Sequence, residues 1–491
     1  MSKKKKKDND IYVDLLGGQS SGVTGSATTV SYVNQQGERR LILLECGAIQ
    51  GANTPLGEYK DNYYMLKKLP IELIDYVFVL HNHADHTSMI PYVIANGGNP
   101  EIITTSENRN LMYPMLLDSA KIHYKNVQYL KSKGEKIEGK SIKPLYEEKH
   151  VHDTMELVID YEVDKIYELN KNISFRFRNN SHTPEALQLE LFVKKNNNQV
   201  KKILYTSDLG SRVGRKFHYF TKDTYKVTNA DLMLIESTYG DREGFTKKQC
   251  EEERKDLINT IKKVVLGDKK SLFIPCFAQF RLQDFMCFLY DNFKDYWKSD
   301  IKIVIDTNLG CEINKQYTNN LKDEDLKYWK EVKSWKVFEF CDNWEKSIAF
   351  QTSKKPALIL SSSGMISAGR SECHAYNLQQ YSGNMICFCG YCSPNTIGGK
   401  ILNGEKIIDF QDHKGVKIIS DIKRYYTFSS HAQQEDLIDY IKQMPTSCKI
   451  VLHHGDENAK QELLIKAKEE LSKINKTTKI EKSYEDMQIV L

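Results

Sequence analysis

Short apolar runs bounded by Gly, Ser and Asn dominate the first hundred positions. IYVDLLGG (11–18), TTVSYV (28–33) and RRLILLECG (39–47) have the length and flanks of strands. YVFVL (76–80) is a further strand and runs into a polar loop at 81–88. MIPYVIANGG (89–98) predicts a helix closed by glycine. EIITT (101–105) then leads into a long helix to about residue 135, and residues 136–170 are charged and less regular. ISFRFR (173–178), LQLELFV (187–193) and KILYTSDLG (202–210) are again strand-like.

The pattern changes near residue 242. KKQCEEERKDLINTIKKVVLGDKKSLFIPCFA (247–278) predicts a helix and then a buried strand. IKIVID (301–306) and ALILSSSG (357–364) are short buried strands separated by helical stretches. Strands alternating with helices predict βαβ units around a mostly parallel sheet. After residue 423, YYTFSSH and CKIVLHHG (448–455) return to strands followed by loops, and the chain is expected to end in a Lys/Glu-rich helix. Three segments follow: 1–241, an α/β segment 242–423, and 424–491. No internal repeat is evident.

Composition narrows the function. The 491 residues allow two to four domains, and two or three are expected. With 70 Lys+Arg against 65 Asp+Glu the formal charge is +5, which excludes a bulk polycation but leaves room for a local basic groove. No apolar stretch is long enough for a membrane span. The start, MSKKKKKDND, lacks an apolar region after its lysines and is expected to be a solvated, frayed tail rather than a signal peptide; a nucleic-acid-grazing arm is the sharper alternative. The 11 scattered cysteines are expected to be reduced, buried thiols of a cytoplasmic protein. Cys387-x-Cys389-x-x-Cys392 has the spacing of half a zinc site, but no second half follows, so structural thiols are expected there too.

The chemistry concentrates in VLHNHADHTS (79–88). His81, His83, Asp85 and His86 fall within six residues, directly after an apolar strand. Imidazoles and a carboxylate on such a loop can surround a borderline ion such as zinc. Further candidates end other strand-like runs: His182 after SFRFRNNS, Asp208 after ILYTS, and His454 after IVLH. Alone, Asp208 reads as a turn-former and each histidine as structural; their joint placement at strand ends makes the case.

With these residues in view, HNHADH resembles the metal-binding motif of the metallo-β-lactamase fold, and His182 and Asp208 match that fold's third and fourth motifs. VTGS (23–26), LLECGAIQG (43–51), ESTYGD (236–241), IPCFAQFRLQD (274–284), SSSGMISAGR (361–370), TFSSHA (427–432) and VLHHGDEN (451–458) resemble, in order, the β-CASP subgroup of nucleic-acid-processing hydrolases. The pattern is similar to bacterial relatives of the mRNA 3′-end-processing endonuclease and, more distantly, to ribonuclease J. No appended C-terminal domain of the ribonuclease J type is read.

The resemblance implies an α/β fold: a metallo-β-lactamase αββα sandwich formed by 1–241 and 424–491, with an inserted β-CASP α/β domain at 242–423. It implies two zinc ions, with manganese as a substitute. His81, His83 and His182 would hold one; Asp85, His86 and His454 the other; Asp208 would bridge them. His453 is the runner-up to His454. His431 would be the general acid, oriented by Glu236, and Asp85 belongs to the catalytic set. Ser363, Gly364 and Arg370 are candidate substrate contacts, through backbone N–H groups and added charge; Arg281 is a further candidate, with packing or domain docking as its equal alternative. Glu45 stands where the family usually has Asp, supporting the metal loop without ligating. The glycine often found after the third-motif histidine is also missing from SHTPEA (181–186).

The implied activity is zinc-dependent hydrolysis of single-stranded RNA, as an endoribonuclease with 5′-exonuclease action as a further mode. A hydroxide activated by two metals would leave 5′-phosphate and 3′-hydroxyl products. His454, where DNA-processing members commonly carry Val, favours RNA. The alternatives are a nuclease acting on DNA or on both, and a non-catalytic scaffold of an RNA-processing complex. A cytoplasmic location, no membrane partner and a homodimer complete the expectations.

Overall fold

The computed structural model describes residues 10–18, 22–52, 54–211, 218–367, 369–410 and 412–491, so the N-terminal lysine run lies outside the described residues. The chain divides into two compact units. One comprises Met1–Arg212, Thr221–Gly244 and Ser430–Leu491; the other comprises Val213–Phe220 and Phe245–Ser429.

The first unit holds two seven-stranded sheets. One runs, in spatial order, Met487–Val490, Tyr12–Leu15, Thr28–Val33, Arg39–Leu44, Ile74–Phe78, Glu101–Thr104, Val158–Asp160. The other runs Lys479–Lys482, Lys449–His453, Leu232–Glu236, Val200–Tyr205, Leu187–Lys194, Ile173–Asn179, Tyr167–Asn170. Alternation decides which faces meet. Along Ile173–Asn179, Ile173, Phe175 and Phe177 are buried while Ser174 and Arg176 are part-exposed. The two phenylalanines join Val13, Val30, Ile42, Phe78, Leu189, Ile203 and Val451 in one core drawn from both sheets. Each such side chain contributes about 1.5–3 kcal/mol by leaving water. A second core packs Leu43 and Val77 under Met112, Leu116 and Val127 of the helix Ser106–Ser132. A third packs Met233 and Ile235 under Leu437 and Ile441 of Gln434–Lys442 and Leu463 and Ala467 of Glu457–Lys473. Helices therefore cover the outer face of each sheet, the αββα sandwich of the metallo-β-lactamase fold.

Parallel pairing brings the chemistry to one set of strand ends. Leu44 pairs with Phe78, so Glu45 and the loop from His81 leave the same edge of the first sheet. Tyr205 pairs with Leu234 and Glu236 with His453, so Asp208, Glu236 and His454 leave the same edge of the second.

The second unit is built on a six-stranded sheet in the order Phe338–Phe340, Lys302–Ile305, Ala357–Ser361, Leu272–Pro275, Met385–Phe388, Asp421–Arg424, with every pair parallel. Helices such as Arg281–Phe293 and Asn308–Asn320 connect the strands, as the alternating pattern predicts.

One expectation is overturned. The chain does not end in the helix Glu457–Lys473 but continues into Lys479–Lys482 and Met487–Val490. The last strand pairs antiparallel with Tyr12–Leu15. Both late strands are four residues long and lie at sheet edges, so only one face of each is apolar and the pattern is faint.

Candidate metal centre

The histidine-rich loop is shaped by a single helical turn. His83 caps Ala84–Thr87, which carries Asp85 and His86 on successive positions and so turns them about 100° apart around the helix axis. The loop after Leu44 grips this turn through its backbone: Cys46 N donates to His86 O (2.8 Å) and Ala48 N to Ala84 O (3.0 Å). Gly47 lies so close that a Cβ there would meet Asp85 C and O at 1.8 Å, so only glycine allows this approach. Gly210 serves the same purpose elsewhere, since its Cβ would meet the Ser181 carbonyl at 2.2 Å, beside His182.

These loops assemble groups of ligand atoms, each within 4.8 Å internally: His81, His83, His182 and Asp208, and Asp85, His86 and His454, with Glu45 beside His81 and His86, and Glu236 and His431 beside Asp208, as two more. Asp208 faces the first two. Its Oδ2 is 3.5 Å from His81 Nε2 and 3.6 Å from His182 Nε2. Its Oδ1 is 3.3 Å from His86 Nε2 and 3.4 Å from His454 Nδ1. Asp85 Oδ2 stands 3.8 Å from the Nε2 atoms of both His86 and His454. The seven residues expected as ligands are thus all in the cluster. His453 is not: the strand runs through it, its ring packs on Tyr205 at 5.4 Å, and His454 turns back through a left-handed backbone (φ 53°).

The cluster suits a cation. His81 Nε2, His86 Nε2, His454 Nε2 and Asp208 Oδ1 are buried and make no hydrogen bond. A buried polar atom left so costs about 1–3 kcal/mol, and a metal ion is the partner that imidazole and carboxylate lone pairs would share. The electrostatics leave His83, His182 and Asp208 in metal-accepting states, while the carboxylates beside them outweigh burial and raise His81, His86 and His454. Burial, helped by the charge of His81, pushes His83 down to about 3. Burial also drives His182 well below its ordinary value, with His431 adding to the effect. Burial alone would raise Asp208, but His454 and His86 overcome it and hold the carboxyl well below the usual range.

Glu45 lies behind the two groups. Its Oε2 accepts from His86 Nδ1 (2.7 Å) and Tyr205 OH (2.9 Å), and its Oε1 from Ser207 Oγ (2.7 Å). Burial would raise its pKa; the neighbouring His86 and His81 reverse that and hold it ionised. Its ligand atom groups with those of His81 and His86. Ser207, Tyr205 and Thr238, whose Oγ1 is 3.2 Å from His454 Nδ1, were not legible as site residues. A hydroxyl at a strand end is too common a feature to single out.

His431 lies beside the cluster. Ala432 N donates to Leu209 O (2.7 Å) and Ser211 N to Ser430 O (2.8 Å), which ties this stretch to the one following Asp208. The His431 ring is 4.6 Å from that of His182, its side chain is 20% exposed, and its Nδ1 is 3.3 Å from Glu236 Oε1. Glu236 is fully buried and also accepts from Leu209 N (2.6 Å) and Thr238 N (3.2 Å). It therefore holds the Asp208 loop as well as the imidazole.

The expected substrate contacts all lie in the second unit. Arg370 does not present its charge outward as expected. Nη1 donates to the buried Asp306 Oδ1 (2.9 Å) and to Cys341 O (2.6 Å), where the guanidinium compensates a buried carboxylate whose other oxygen meets His374 Nε2 (2.7 Å). Ser363 N donates to Ser371 Oγ (2.9 Å), so that N–H is not offered to a ligand. Gly364 packs against Phe277, and Arg281 is buried, 3.9 Å from Asp284. Cys387, Cys389 and Cys392 are buried free thiols; among the described residues no candidate metal group includes a cysteine. No helix among the described residues is long and apolar enough to cross a membrane.

The chain matches two family models: the Beta-Casp domain over residues 282–401 and the Zn-dependent metallo-hydrolase RNA specificity domain over 415–478. It is 24% identical over 429 residues to transcription termination factor FttA of Methanothermobacter thermautotrophicus, covering 84% of this chain and 63% of that protein. It is 25% identical to the probable RNase MJ4 of Methanocaldococcus jannaschii (86% and 89% covered) and 23% identical to Integrator complex subunit 11 of Danio rerio (94% and 72% covered). The chain thus spans less than two thirds of the length of FttA. The Beta-Casp match falls inside the parallel-sheet unit, and the second match runs on into the segment bearing His431 and His454. On that evidence the chain carries a Beta-Casp domain and a Zn-dependent metallo-hydrolase RNA specificity domain.

Proposed function

We propose that the chain is a metal-dependent phosphodiesterase that cuts single-stranded RNA internally, using two zinc ions that manganese can replace. The observation carrying this reading is Asp208, whose two oxygens face two separate ligand groups. In this reading His81, His83 and His182 hold one ion, Asp85, His86 and His454 the other, and Asp208 both. The chemistry that two such ions supply is hydroxide at neutral pH and positive charge against the phosphoryl oxygens. The chain's own residues do the rest. Glu236 accepts from His431 Nδ1, which orients the imidazole. Nε2 then gives its proton to the departing 3′ oxygen, leaving 5′-phosphate and 3′-hydroxyl ends. Ser363 and Gly364 are proposed to shape the substrate path through the backbone, and Arg370 and Arg281 to support it by packing. The RNA preference rests on the second family model and on the relatives described as RNases.

The test pairs internally and 5′-labelled single-stranded RNA with DNA of the same sequence, cut by wild type and His83→Ala with added zinc or manganese. Internal RNA fragments with 5′-phosphate ends from wild type alone are expected. DNA cut equally well would widen the substrate to nucleic acid generally. No cleavage with either metal would defeat the enzyme reading.

A further inference from the structure

Glu45, Ser207 and His454 all adopt left-handed backbone at the rim of the metal centre, with φ of 60°, 49° and 53°. Non-glycine residues keep that conformation only where the surroundings demand it. Glycine would adopt the Ser207 backbone with less strain, so the serine points to work for its side chain. That side chain is buried and lies between two site residues. Ser207 Oγ donates to Glu45 Oε1 (2.7 Å) and, with its proton committed there, accepts from His81 Nδ1 (3.2 Å). Glu45 Oε1 itself stands 3.6 Å from His81 Nδ1, within ion-pair range but longer than the hydrogen bond made through Ser207. Its other oxygen accepts directly from His86 Nδ1 (2.7 Å).

We infer that Ser207 is a positioning residue that relays the Glu45 carboxylate to His81, so that one acid orients an imidazole of each ligand group. Holding a proton on Nδ1 of both rings leaves both Nε2 atoms as lone pairs, and those are two of the buried atoms without a hydrogen bond. The relay also gives a reason for glutamate at this position. Its two oxygens serve His86 directly and His81 through the hydroxyl, with Tyr205 OH bracing the first. The inference rests on the two-ion reading and adds an asymmetry to it: Ser207 serves the His81 group only.

The experiment measures zinc affinity by chelator competition in Ser207→Gly, a change that removes the hydroxyl and eases the backbone. Thermal unfolding of the metal-free chain checks folding and is expected to show no loss. Two backgrounds separate the groups. With His454→Ala, which leaves the His81 group intact, Ser207→Gly is expected to weaken zinc by about 10–100-fold, the range for losing such a supporting partner. With His182→Ala, which leaves the His86 group intact, it is expected to change nothing. In the otherwise unaltered chain, one equivalent stays tight and one weakens. Added to Glu45→Gln, it brings no further loss, because the hydroxyl acts through the carboxylate. Unchanged affinity in the His454→Ala background, equal loss in both backgrounds, or additive loss with Glu45→Gln would overturn the relay. A parent chain that binds no zinc would defeat the two-ion reading as well; two tight equivalents in the parent with no effect of Ser207→Gly would defeat the relay alone.

Discussion

Four imidazoles converge on the two oxygens of Asp208, and this residue shows how site chemistry arises from contacts no single residue announces. His431 poses the sharper question, because it neighbours His182 outside the seven expected ligands yet groups with Glu236 and Asp208, and its Nδ1 meets Glu236. If it acts as the acid, His431→Ala should slow RNA cleavage by about 10²–10⁴-fold, the usual contribution of a positioned proton donor, with metal content unchanged. Single-turnover cleavage together with metal analysis checks this, and loss of metal in the variant would make His431 structural. At this scale the sequence was informative where residue types are rare and crowded. HNHADH announces a metal site, and His182, Asp208 and His454 were legible once placed at strand ends. Ser207 and Tyr205 were not, because a hydroxyl has no spacing signature. Arg370 misled because its charge was legible while its partner Asp306, 64 residues away, was not.

Single elements set the angles of these side chains. The turn Ala84–Thr87 separates Asp85 from His86, and Gly47 lets the loop after Leu44 close on it. The strand Leu187–Lys194 illustrates how an element is held. Its Glu190 is buried on a sheet face among Arg176 (2.6 Å), Arg178 (3.0 Å) and Lys202. Burial would raise this carboxyl, but Arg176, Lys202 and Arg178 overcome it and hold it down at about 2. A depressed folded-state value means stability that is full above the unfolded value near 4.5 and is lost as pH falls toward 2. The loss should reach at most about 3 kcal/mol. Denaturant unfolding of wild type and Glu190→Gln should show a stability gap at pH 7 that closes as pH drops through this window. A gap independent of pH would mean that the cations contribute through packing alone. The strand itself was legible as LQLELFV; its charged neighbours were not, since cross-strand pairing depends on register.

Across the whole chain, three stretches of sequence build the first unit, and the late strand Met487–Val490 closes its first sheet against Tyr12–Leu15. Met487 and Ile489 are 3% and 1% exposed. Deleting residues 484–491 should therefore cost roughly 4 kcal/mol, from two buried side chains at about 2 kcal/mol each. A clear fall in the unfolding temperature of the metal-free chain is expected; an unchanged transition would show that this edge is dispensable. The sequence by itself determined the class of architecture, the metal-site motif and the order of its companions. Those depend on periodicity and on rare residue types close together in the chain. Tertiary structure alone decided that the final strand returns to the first and that Asp208 lies between two ligand groups. It also decided that Ser207 lies between Glu45 and His81 and that Arg370 turns inward to Asp306. Each of these joins residues distant in sequence, and their pairing is set by strand register and backbone approach, which local pattern does not encode.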